Sequence, residues 1–241
     1  MNKLLLYFAH KFKSDTYTIY KNMRSPLKNV DIEIEKISNL YQQYQINFID
    51  MYDDLFPDNL LFYKYPPVGF FTKGNLDLLK HEQKVYLVSE EENDHFMSSN
   101  ILKIVRNCVI VTNYFNSEKT LIDKLKKLGA KIIYVLKNDL SKIEQDKISQ
   151  NEMYITLTPL FDHARRSSFK TTNLFIAALC QRLIIFSTQN NTKVENLISC
   201  FANLNKDVYC FPSQKINGYN NQLIKNGIQL VTMISECMNL E

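Results

Sequence analysis

The sequence predicts a doubly wound α/β protein: a mostly parallel sheet with helices on both faces, preceded by a small helical segment at residues 1–45. Two observations carry that prediction. From residue 85 onward, short apolar runs alternate with amphipathic stretches of helical spacing. The apolar runs also lack the in-and-out alternation of a strand with one wet face, so they read as strands covered on both sides.

In chain order, LLLYFAHKF, TYTIYKNM and NVDIEIEKISNLYQQYQ place apolar residues three and four apart and read as helices. The stretch from 46 to 80 is rich in aromatic residues and proline; Pro66-Pro67 force an extended path into the strand-like run VGFFT, which a turn at Lys73-Gly74-Asn75 ends. The apolar runs that follow are VYLVS, CVIVTNYF, KIIYVLK, MYITLT, LIIFST, DVYCF and IQLVTMI. Between them lie HFMSSNILKIVRN, SEKTLIDKLKKLG, SKIEQDKISQ, FKTTNLFIAALCQ, TKVENLISCFANLN and NNQLIKNG, all read as helices. No low-complexity linker divides residues 80–241, so the expected domain is Rossmann-like and spans 46–241.

Composition bounds the function. A net charge of +4 permits an anionic partner without requiring one. The five cysteines are odd in number and lack a C-x-x-C pair, which suits reduced core residues in a cytoplasmic chain. The apolar run of MNKLLLYFAHKFKS is too short for a signal peptide and has no small-residue cleavage site. No stretch approaches the roughly 20 apolar residues of a membrane span, so no membrane partner is expected. With five glycines and neither G-x-G-x-x-G nor G-x-x-x-x-G-K-[ST], the strand ends offer no standard nucleotide loop, and no cofactor is expected. His163 lacks a partnered nucleophile, and Glu90, Glu91 and Glu92 are consecutive on a loop, which rarely lets carboxylates converge on one ion. They read as a solvent-facing tip. The chain is therefore expected not to be an enzyme and not to bind a metal.

Three segments in order resemble the DNA-processing protein A (DprA/Smf) family: LFPDNLLFYKYPPVGFFTKGNLDLL, then FKTTNLFIAALCQRLIIFST, then KDVYCFPSQ with NNQLIKNGIQLV. Phe169, Asn173, Ile176 and Leu179 fall on the family's F-P-x-R-N-R-I-I-x-G-L-S pattern. Lys206, Val208 and Pro212 match R-x-V-F-A-V-P-G, and Asn221, Leu223, Ile224 and Gly227 match N-x-L-I-x-x-G-A. The departures cluster at strand ends. The family's V-G-x-R is Val88-Ser89-Glu90-Glu91 here, its S-G-L-A-x-G-I-D begins Thr112-Asn113-Tyr114-Phe115, R-N-R is Thr172-Asn173-Leu174, and S-G-S is Thr192-Lys193-Val194. Lost glycines and cations imply a partly degenerate member with weakened phosphate binding.

The resemblance implies single-stranded DNA binding and handover to RecA in DNA uptake and recombination, with a possible homodimer through the C-terminal part. The DNA-binding candidates are Arg165, Arg166, Lys170, Asn173, Lys193 and Asn221. Arg165, Arg166 and Lys170 form the densest basic cluster near the expected carboxyl edge of the sheet, where each would neutralise a phosphate or else sit in a solvated loop. Lys193 stands near a helix start. Asn173 and Asn221 have amides suited either to phosphate and base edges or to helix capping. Tyr65, Phe70, Phe71 and Tyr114 are more readily core aromatics than base-stacking platforms. Two rival readings are a scaffold on the same fold that has lost DNA binding, and a nucleotide-processing enzyme on a related fold.

Overall fold

A computed structural model describes residues 2–24, 30–90, 101–163, 168–190 and 192–238, with only the backbone of Ser168, Thr192 and Met238. In chain order the first elements are α1 (Lys3–Lys11), α2 (Thr16–Asn22), α3 (Asp31–Gln43), β1 (Asn47–Asp50), β2 (Gly69–Gly74), α4 (Asp77–Lys80), β3 (Lys84–Ser89), α5 (Ile101–Asn107), β4 (Val109–Thr112), α6 (Asn116–Lys127) and β5 (Lys131–Leu136). They are followed by β6 (Glu152–Thr156), α7 (Ser168–Leu179), β7 (Arg182–Ser187), α8 (Thr192–Asn203), β8 (Asp207–Cys210), α9 (Tyr219–Lys225), β9 (Gln229–Leu230) and α10 (Ile234–Met238). The chain divides into two compact units, one of Met1–Lys80 with Val135–Ser168 and one of His81–Tyr134 with Phe169–Glu241.

In the first unit β2 lies between β1 and β6 and runs antiparallel to both. The helices expected in residues 1–45 form, and their apolar stripe joins Phe48, Phe71 and Leu160 in one core. Tyr41 stacks on Phe71 with ring centroids 5.1 Å apart, and its hydroxyl accepts from Leu160 N at 3.0 Å. Gly69 has no room for a side chain, because a Cβ there would meet the Phe48 ring at 2.3 Å. Phe70 and Phe71 are buried, and Tyr65 packs edge-on against Tyr17.

The second unit is the doubly wound part. Its parallel strands run in the order β5-β4-β3-β7-β8-β9, so the chain steps outward from β3 to one side and from β7 to the other. By the right-handed rule for such crossovers, α5 and α6 belong to one face and α8 and α9 to the other. β3 and β7, the central pair, are buried almost throughout, as strands covered on both sides must be. α6 and α9 stop the same way. Gly129 and Gly227 take φ of +83° and +100°, and the next amides reach back to Leu125 O and Leu223 O, the hydrogen bonding of a Schellman cap. The Lys206 ammonium donates to the carbonyls of Ala177, Ala178 and Cys180, closing the carboxyl end of α7 with a cation where the helix dipole favours one. All five cysteines are buried, and none is in a disulfide.

MYITLT forms the expected strand, β6, which has the antiparallel β2 as a partner. Two local expectations are corrected. SKIEQDKISQ holds only a 3-10 turn at Gln145–Lys147; its isoleucines stand five apart, too far for one helical stripe. IQLVTMI yields only the two residues of β9, because the Glu236 carboxylate accepts from Met233 N at 2.7 Å and Thr232 Oγ1 at 3.0 Å, starting α10. No helix among the described residues is long and apolar enough to cross a membrane.

Candidate functional site

Ligands of doubly wound sheets sit outside the carboxyl ends of the strands, where the winding reverses. In the second unit that point lies between β3 and β7. Pairing continues just past the strands: Glu90 N donates to Ser187 O at 3.0 Å, after a register shift between Val88 and Ser89. This backbone bond fixes where the Glu90 side chain starts. Its Oε2 accepts from Thr188 Oγ1 at 2.7 Å and from Gln189 N at 2.8 Å, lengths typical of charge-assisted bonds. An internal carboxylate thus occupies two donors at the switch point. Glu90 is half-buried and anchored, not the solvent-facing tip the sequence suggested; Glu91 and Glu92 lie outside the described residues.

Beneath this carboxylate the loop is held by Asn220, which is 3% exposed. Its Oδ1 accepts from Thr188 N at 3.0 Å, and its Nδ2 donates to Phe186 O at 3.0 Å and Phe211 O at 2.8 Å. One side chain at the start of α9 therefore ties together the ends of β7 and β8.

On the β4 side a second acid is buried. Glu118, in the first turn of α6, accepts from Tyr86 Oη at 2.9 Å and Thr112 Oγ1 at 2.7 Å. Burial pushes its carboxyl up to about 7 against the pull of the Thr112 and Tyr86 hydrogen bonds, and the charge of Glu90 raises it further. Burial, then the Glu118 charge, holds the Tyr86 phenol well above its usual range. The Thr112 hydroxyl also accepts from Tyr114 N at 2.9 Å, in a loop where Tyr114 takes a φ of +49°. A bulky residue in that region is strained by about 1–3 kcal/mol, and such strain concentrates at functional loops. The family pattern has glycines in this loop.

Cations stand over the aromatic residues of the same loop. The Lys193 ammonium lies 5.2 Å from the Phe115 ring centroid, and that of Lys119 lies 5.5 Å from Tyr114. The Tyr114 hydroxyl donates to Asp123 at 2.8 Å, which fixes the ring under Lys119. Aromatic faces with attached cations suit a flexible polyanion that carries stackable bases.

The six expected residues divide as follows. Lys193 is exposed near the start of α8, and Lys170 is exposed in the first turn of α7. Arg165 and Arg166 lie outside the described residues. Asn173 is buried, and its Nδ2 donates to Lys193 O at 3.1 Å and Asn196 Oδ1 at 3.0 Å, joining α7 to α8. Asn221 accepts from Ser213 N at 2.9 Å and donates to Lys215 O at 2.9 Å, shaping the loop between β8 and α9. Both amides hold backbone in place at the edge of the site. His163 is exposed.

Sequence reasoning missed Asn220, Glu118 and Thr188. The pair Asn220-Asn221 at a helix start was the available signal for the first, and a glutamate two residues into SEKTLIDKLKK was the signal for the second. Neither marks burial on its own.

No family model matches the chain. It is similar to the DNA processing protein DprA of Streptococcus pneumoniae (strain ATCC BAA-255 / R6), with 26% identity over 197 residues that cover 75% of this chain and 69% of that protein. Its fold is similar to the X-ray structure of DNA processing protein A from Streptococcus pneumoniae, with a TM-score of 0.73 and 21% identity, covering 99% of this chain and 98% of that one. It is also similar to a structure of DNA processing protein A from Helicobacter pylori, described for its single-stranded DNA binding mode, with a TM-score of 0.64 and 19% identity, covering 81% of this chain and 94% of that one.

Proposed function

Because this chain belongs to the DNA-processing protein A family, as a divergent member, we propose that it binds single-stranded DNA at the carboxyl edge of its parallel sheet and acts by binding, not by catalysis. The observation that carries this reading is the placement of Lys193 and Lys119 over Phe115 and Tyr114 beside the switch point. Ammonium groups neutralise phosphates and rings stack on bases without reading sequence. Lys170 adds a cation near the start of α7, and Arg165 and Arg166 precede it in the chain. Asn173 and Asn221 serve by positioning the loops. Handover to RecA, a cytoplasmic setting and a homodimer through the C-terminal part belong to the same proposal and follow from the resemblance alone.

Replacing Arg165, Arg166 and Lys170 together by alanine is expected to flatten the dependence of log K on log salt by about two units, since each single-strand phosphate contact contributes about 0.7. Sequence preference is expected to stay unchanged, and stability to move little, because exposed charges add little to folding. Fluorescence anisotropy with labelled oligo-dT measures the slope; an unchanged slope removes the cluster from the interface.

One observation favours a second reading, a scaffold without DNA binding: the switch-point donors already hold Glu90. The parent protein separates the two readings, because a scaffold shows no salt-dependent binding of oligo-dT at all.

A further inference from the structure

We propose that the switch-point crevice of the second unit is an oxyanion site that this chain closes with its own Glu90, so that the carboxylate and an external phosphate group compete for the same donors. The single-stranded DNA reading supplies only the identity of the natural oxyanion, a DNA phosphate; the competition itself stands on the geometry.

Three features of that geometry point the same way. The site is built to receive negative charge: a backbone N–H and a hydroxyl converge on one oxygen, at 2.8 Å from Gln189 N and 2.7 Å from Thr188 Oγ1. The donors are fixed in advance, because Asn220 holds the Thr188 backbone from within and is itself fully hydrogen-bonded. Finally, the occupant comes from the chain in a defined pose, since Glu90 N is held to Ser187 O and the side chain leaves the ladder at a fixed point. Where the family pattern reads G-x-R, this chain has Ser89-Glu90-Glu91, which exchanges an open loop with a cation for a loop that fills the place with a carboxylate.

The consequence is a site with a built-in competitor. Glu90 occupies these donors at shorter range than the Thr188 hydroxyl's other acceptor, Gln189 O at 3.2 Å, and its charge repels a second anion. Glu118, whose buried carboxyl feels the charge of Glu90, adds negative potential from the β4 side whenever it ionises. Oxyanion binding is thus suppressed without removing the donors, so removing the competitor is expected to restore it.

The test compares the parent chain with Glu90→Ala, Glu90→Gln and the double variant Glu90→Ala/Thr188→Val, using inorganic phosphate as the probe against chloride at equal ionic strength. Thermal unfolding reports binding to the folded chain through linkage. Glu90→Ala is expected to bind phosphate at least about tenfold more tightly than the parent, the loss of one competing charge at close range. Glu90→Gln keeps the size and the acceptor, so it folds even where alanine does not, and is expected to show a smaller gain in the same direction. Thr188→Val, by removing one donor, is expected to cancel the gain, which locates it at this crevice. Equal phosphate response in the parent and in every folded Glu90 variant overturns the proposal, as does a gain that survives Thr188→Val. Oligo-dT titrations of the same proteins keep the two readings apart. A phosphate gain without oligo-dT binding leaves the closed site standing and removes the DNA reading. Salt-dependent oligo-dT binding with no phosphate gain does the reverse.

Discussion

Asn220→Ala is expected to destabilise the protein by about 3–5 kcal/mol, because it strands three buried backbone groups at once and each unpaired group costs about 1–3 kcal/mol. The groups are Thr188 N, Phe186 O and Phe211 O, all within 3.0 Å of the amide, and the side chain is 3% exposed, so water cannot readily replace it. The contributions overlap, which keeps the total below their sum. Asn220→Asp preserves the volume but turns the donor toward two carbonyl oxygens into an acceptor, so it is expected to cost at least as much as alanine. That pairing separates hydrogen bonding from packing. Urea unfolding reads both variants, and a loss under about 1 kcal/mol for Asn220→Ala contradicts the role assigned to the amide.

Glu118→Gln is expected to stabilise the protein at pH 8 by about 1–3 kcal/mol, with the gain fading toward zero as the pH falls below the ordinary carboxyl range. Burial raises the folded-state carboxyl from 4.5 to about 7. Between those values the folded chain keeps a proton that the unfolded chain has released, so stability falls as the pH rises through this window. Above it the folded chain carries an ionised carboxylate under the sheet edge. Glutamine has the shape of the protonated acid and cannot ionise, and the Tyr86 and Thr112 hydroxyls can rotate to suit it. Urea midpoints of the parent and variant from pH 4 to 8 test this. The gap is expected to open with rising pH; a gap that stays constant places the titrating group elsewhere.

The parallel core was legible in the sequence because strands covered on both faces leave continuous apolar runs. VYLVS, KIIYVLK and LIIFST are such runs, and they form β3, β5 and β7. The parts that were not legible depend on partners distant in sequence. β1 is four residues of Asn-Phe-Ile-Asp, too short to show a period, and it exists because β2 pairs with it. IQLVTMI has the composition of a strand, but a carboxylate four residues beyond Thr232 ends it. At the site, Asn221 matched a motif while its neighbour Asn220 points inward, a difference of helical phase that no composition reveals. Glu90 looked like a solvated tip because its partners, Thr188 and Gln189, lie almost a hundred residues away in the sequence. Asn173 was legible as a residue that matters, yet its amide is spent on the start of α8.

The central claim is that the carboxyl edge of the sheet binds single-stranded DNA despite the carboxylate at its switch point. Fluorescence anisotropy of the unmodified protein with labelled oligo-dT, from low to moderate salt, tests it most directly. Weak binding is expected whose log K falls with log salt at a slope of about −2 or steeper, as three or more phosphate contacts require. An anisotropy that stays flat at the lowest salt contradicts the claim.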